Sequence, residues 1–206
     1  MMSSLFADSA KLTSSDYQIQ IERTYLVLNN IENKSELGWS INNVAEKLTD
    51  GDSVLAVLND NVLNNTKALN LRNLQVFRTL LQNMQKDLRV QRELLDSTEL
   101  MLAGLRSSMR MLVTDTVLRQ LLRDWVLRQQ FSTQLRDMRE AWRSGTRHLR
   151  ESLATVNLLQ THVSSNSITT TRLLEKVSSL LNTSADRIFS KEYNFLWEKR
   201  ADTVSK

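Results

Sequence analysis

NLRNLQVFRTLLQNMQKDLRVQRELLDSTELMLAGLRSSMRMLV, residues 70–113, carries the most regular signal in the chain. Within it Leu74, Leu81, Leu88, Leu95, Leu102 and Met109 recur every seven residues, and three positions after each stand Phe77, Met84, Gln91, Thr98, Leu105 and Leu112. Alternating steps of three and four place all of them on one face of an α-helix, as in a seam that packs along a second helix. At roughly 1.5 Å per residue such a helix is about 65 Å long, more than one small core requires, so an element of similar length must lie beside it.

Downstream, Leu121, Leu135, Trp142, Leu149, Val156 and Val163 share one seven-residue grid over 116–163, with Arg128 as its polar occupant; Leu118, Trp125, Met138, Leu153 and Leu159 widen the stripe. Two heptad helices of nearly matched length and short connection are expected to fold back as an antiparallel hairpin, with Asp115 capping the second. Because neither proline nor glycine stands at 114–116, a continuous rod is the alternative there. Ser164-Ser165-Asn166-Ser167 has the composition of a polar turn, with Ser167 capping a final helix on which Leu174, Leu181, Ile188 and Phe195 repeat the spacing.

Upstream, Tyr17, Ile21, Thr24, Leu28 and Ile31 follow a three-four rhythm behind a cap at Ser14, Ser15 or Asp16. The phase slips between Lys34 and Gly38 and resumes at Leu37, Ile41, Val44 and Leu48. Thr49-Asp50-Gly51-Asp52 joins a glycine suited to end a helix with a residue suited to start one, which predicts a break and then a short helix over 53–63. The expected fold is all-α: an elongated, mostly antiparallel bundle of four long helices with coiled-coil-like seams, plus one short helix. A single domain is expected over 15–200, with a flexible N-terminus at 1–14 and a tail at 201–206.

Composition supports long helices, since the 206 residues include no proline and only four glycines. With no cysteine, disulfides, thiolate metal sites and cysteine nucleophiles are excluded. Leu5-Phe6-Ala7 before Asp8-Ser9 fits the end of a signal sequence, or else an ordinary frayed terminus. At the other end Tyr193, Phe195, Trp197, Lys199 and Arg200 form an aromatic and basic cluster suited to a membrane interface, so the tail is expected to lead towards a transmembrane span in a longer protein; closing the end of the bundle is the alternative.

Chemistry is sparse. His148 and His162 lie 14 residues apart, about 21 Å along one helix, too far to share a metal ion. Phosphate-cradling glycine loops, a nucleophile elbow and zinc-protease spacing are all missing, so neither enzyme activity, nor a metal, nor a cofactor is expected. Charge is more informative: the net is +4, and residues 116–151 hold eight arginines against four carboxylates. Among them Arg136, Arg139, Arg143, Arg147 and Arg150 share a helical face that would suit an anionic surface, or pair with acids on neighbouring helices. Nucleic acid is an unfavoured partner, because stacking aromatics do not accompany these arginines. Gln91, Thr98 and Arg128 are polar positions within apolar seams, expected to fix register or to line a small polar pocket.

The Leu5-Phe6-Ala7 stretch, the helix start Asp115-Thr116-Val117-Leu118-Arg119 and the closing Lys191-Glu192-Tyr193-Asn194-Phe195-Leu196-Trp197-Glu198 together resemble the N-terminal extracytoplasmic helical region of bacterial MscS-type mechanosensitive channels, especially Bacteroides-like members. The resemblance implies a periplasmic domain at the inner membrane in a structural or regulatory role, with the rest of a membrane-anchored parent chain as its partner. It also implies contact with copies of itself, the membrane surface or the cell wall, and carries no pore or gating residue onto any position here. A ligand-binding four-helix sensor of a chemoreceptor or histidine kinase, and a cytoplasmic coiled-coil adaptor whose basic helix holds an acidic partner, are the alternatives.

Overall fold

The computed structural model describes residues 12–64 and 69–204, and side chains within 12–183 apart from those of Trp39 and 65–68. All regular structure among the described residues is helical: α1 (Ser14–Ser35), α2 (Trp39–Leu63), α3 (Leu71–Thr114), α4 (Thr116–Arg123), α5 (Trp125–Gln130) and α6 (Ser132–Val204). The chain is therefore an all-α helical bundle. It divides into two compact units. One takes the described part of 1–39 with 97–157, the other 40–96 with the described part from 158 onward. Helices α3 and α6 contribute to both.

Thr13 starts α1 through a reciprocal box: its hydroxyl accepts from the Asp16 amide, while the Asp16 carboxylate accepts from the Thr13 amide and hydroxyl, each at 2.7 Å. The Thr13 amide first, and its hydroxyl second, hold the Asp16 carboxyl below the usual aspartate value. A depressed folded value means that this contribution is present above the ordinary aspartate pKa and is lost as pH falls through the lowered one. In a carbon-detected titration Asp16 should accordingly turn over at lower pH than a free aspartate, and Thr13→Ala should move its midpoint part of the way back up.

In the first unit α1 buries Tyr17, Ile21, Leu28 and Ile31 beside Leu102, Leu105, Met109 and Leu112 of α3 and Leu135, Met138, Leu149 and Val156 of α6. The Ser144 hydroxyl donates to Glu32 Oε1 and the Ser152 hydroxyl to the Ser35 carbonyl, so α1 and α6 run parallel here. That second bond satisfies a carbonyl in the last turn of α1, where the helix can no longer supply a partner. Gly145 is buried against α1, and a Cβ there would lie 3.5 Å from Met109 Cε and 3.6 Å from Ile31 Cγ2. A methyl group fits there at ordinary contact distance. Gly145→Ala should raise the unfolding free energy by about 0.5–1 kcal/mol through helix propensity, whereas Gly145→Leu should lower it by about 1–3 kcal/mol through overpacking, both read from urea melts.

The second unit packs Leu55, Leu58 and Val62 of α2, Leu74 and Leu81 of α3, and Leu173 and Val177 of α6 into one cluster. Arg92 bonds to Ser164 and Gln160 to Asp96, which sets α3 antiparallel to α6, while Asp52 with Asn166 and Asn59 with Arg172 set α2 parallel to it.

Three expected helix boundaries fall elsewhere. Thr49-Asp50-Gly51-Asp52 is interior to α2, because Thr49 and Ser53 turn their hydroxyls back onto the carbonyls of Ala45 and Thr49 and Asp52 is held by side chains of α6. Ser164-Ser165-Asn166-Ser167 is interior to α6 for the same kind of reason: Ser164, Thr169 and Thr170 donate to the carbonyls of Gln160, Ser165 and Asn166. The expected helix over 116–163 is instead interrupted. Asp124 takes an extended conformation and accepts from the amides of Val126 and Leu127, and Phe131 interrupts the helix again before α6. The break at Asp115 stands: its carboxylate accepts from the Leu118 amide and from Gln20 Nε2, both at 2.8 Å.

Candidate functional site

In the second unit the α3 and α6 seams meet α2 in a layer of polar groups. The Asp52 carboxylate accepts from Asn166 Nδ2 at 2.7 Å and lies 2.8 Å from His162 Nε2. Asn166 and Thr170 are buried, and the Thr170 hydroxyl donates to the Asn166 carbonyl. Gln91 of α3 is also buried, and its side-chain Oε1 has no hydrogen-bond partner. Leu48, Gly51, Met84, Leu88, Gln91 and Asn166 line a groove of about 380 Å³. A glycine inside α2 weakens the helix but leaves this space open. Gln91→Leu, close in shape and with no carbonyl left unpaired, should stabilise the protein by about 1 kcal/mol in denaturant melts.

The sequence-derived candidates separate. Gln91 sits in the layer just described; Thr98 is half-buried farther along the α3 seam. Arg128 lies exposed on α5, out of any seam, because the breaks at Asp124 and Phe131 shift the helical phase between α4 and α6. Arg136, Arg139, Arg143, Arg147 and Arg150 are all exposed on α6, and Arg136 pairs at 3.6 Å with Asp137, itself exposed. Tyr193, Phe195, Trp197, Lys199 and Arg200 fall on the backbone of α6, but their side chains lie outside the described residues, as do Leu5-Phe6-Ala7 and the last two residues of the tail.

Sequence reasoning missed a second feature, in the first unit. Two hollows of about 480 and 300 Å³ share Val113 and Trp142. Arg106 and Arg110 of α3 with Arg150 of α6 line one; Arg119 of α4 with Arg139 of α6 lines the other. Their floors are apolar, including Met109, Leu149 and Leu153 in the first and Leu118, Leu135 and Met138 in the second. The signal was present but divided: Arg106 and Arg110 flank seam residues Leu105 and Met109, and only packing brings them to the arginines of α6.

Among the described residues no group of three or more His, Asp or Glu side chains is placed to hold a metal ion, and no helix is long and apolar enough to cross a membrane. Comparison with protein-family models, curated proteins and solved structures finds no match. What the two sites offer chemically is recognition: hydrogen bonding at Gln91 and Asn166, and positive charge above an apolar floor around Trp142.

Proposed function

We propose that this chain is a non-catalytic helical domain of a cell-envelope membrane protein, a mechanosensitive channel by the resemblance above, with a structural or regulatory role on the extracytoplasmic side. The observation that supports this is the investment of apolar residues in two long seams. On α3, Leu74, Leu81, Leu88, Leu95, Leu102 and Met109 are all buried; on α6, Leu135, Leu149, Val156, Val163 and Val177 are. Stiff helices of 44 and 73 residues suit a scaffold better than a reaction centre. The test is fractionation of cells carrying an epitope tag on the natural gene product. Recovery with the inner membrane, and protease access from the periplasmic side, support the reading; recovery in the cytosol contradicts it.

A second reading, a ligand-binding sensor module, is favoured by the unpaired Gln91 Oε1 beside the groove at Gly51 and Asn166. A melting-temperature rise with a small polar metabolite, abolished in Gln91→Leu, supports it through linkage to the bound state. No rise across a metabolite panel speaks for the scaffold alone.

A further inference from the structure

The groove shared by α3, α4 and α6 in the first unit has a shape and charge that specify an occupant. Five arginines (Arg106, Arg110, Arg119, Arg139 and Arg150) line its two hollows, and no aspartate or glutamate does. None of the five forms an ion pair with a described residue; Arg119 makes one long bond, 3.4 Å, to the Val113 carbonyl. Like charges gathered without counter-charges oppose folding, which leaves this face electrostatically unsatisfied. Among them the half-buried Trp142 and the exposed Val113, 59% accessible, line both hollows and so join them. A central tryptophan with arginines around it is the composition of an interface anchor and its rim.

We propose that this groove binds an acidic amphipathic α-helix of a partner protein. The lining on α6 runs from Leu135 to Asn157, about 33 Å of helix axis, which suits a guest helix of roughly 20 residues and not a compact metabolite. The guest lays a three-four apolar stripe along Val113, Trp142 and their neighbours, and presents carboxylates to arginine forks on either side. It would complete a helix-on-helix layer that α3 and α6 leave open between them. A flat anionic membrane is a poorer match, because Met109, Leu149, Leu118, Leu135 and Met138 are buried in hollows and do not project from the surface as an inserting apolar face would. The inference goes beyond the proposed function and holds wherever in the cell the chain resides.

The experiment uses the full chain and a dye-labelled 21-residue helical peptide with leucines at three-four spacing and glutamates flanking them, beside a sister peptide with lysines in place of the glutamates. Fluorescence anisotropy at low salt should show binding of the glutamate peptide and not of its sister. Arg106→Glu with Arg110→Glu and Arg150→Glu should weaken it at least about tenfold. Trp142→Ala should weaken it as well, while circular dichroism melts confirm that each variant folds. The groove is overturned as a helix site if the glutamate peptide does not bind, if both peptides bind alike, or if the arginine changes leave affinity unaltered. It is equally overturned if phosphatidylglycerol vesicles, and not the peptide, bind with that arginine dependence.

Discussion

Ser165→Pro should destabilise the protein by about 3 kcal/mol or more, a large effect for an exposed position. Ser165 lies in solvent, in the middle of what composition presents as a turn, and at such a turn proline costs little. In the folded chain it lies inside α6, and its carbonyl also accepts from the Thr169 hydroxyl. Proline there removes the amide bond to the carbonyl four residues back and presses its ring against that carbonyl. Ser165→Ala is the control, because alanine keeps the amide and favours the helix; it should be neutral or stabilising by a few tenths of a kcal/mol. Urea melts of the two variants at constant slope separate the cases.

Leu102→Ala should cost about 2–5 kcal/mol, and Leu100→Ala, two residues away on the same helix, less than about 0.5 kcal/mol. Leu102 is 0% exposed and Leu100 is 75% exposed, so the pair holds chemistry and helix position nearly constant and varies burial alone. The larger loss has two parts, the transfer of the missing methyl groups and the hollow left between α3 and its neighbours. If the two variants lost equal stability, the seven-residue grid would not be the face that packs.

The α3 seam was legible from sequence because leucine occupies nearly every position that packs. Leu74, Leu81, Leu88, Leu95, Leu102 and Met109 are buried as their spacing implies, and Leu105 and Leu112 with them. The α6 seam was legible only to Val163. Its grid continues through Thr170 to Val177, and through Asn166 to Leu173, all buried. Small polar residues at Asn166 and Thr170 hid that continuity, and the apolar signal was instead assigned to Leu174 and Leu181, which are only partly buried. Here tertiary hydrogen bonds, Asn166 to Asp52 above all, override local composition.

Gly51 misled in the same way. A glycine between aspartates looks like the end of a helix, yet α2 passes through it, and its missing side chain helps form the groove at Gln91. Gln91 itself was visible as a polar residue in an apolar seam, whereas Asn166, which shares its groove, and Asp52 and His162, which are joined by hydrogen bonding between α2 and α6, were not, because they come from other helices. The arginine groove has the same history: Arg139 and Arg150 stood out on one helix face, and Arg106, Arg110 and Arg119 join them only after α3 and α4 have packed.

The continuity of α6 through its polar stretch is the claim on which the second unit and its candidate site depend, and the cysteine-free chain makes it simple to measure. Cysteines placed at the exposed positions Leu158 and Lys176 accept spin labels, and pulsed dipolar spectroscopy reads the distance between them. An unbroken helix separates those backbone positions by about 27 Å, with a narrow distribution. A turn at 164–167 would bring the two arms together and give about 15 Å or less, which would contradict the account.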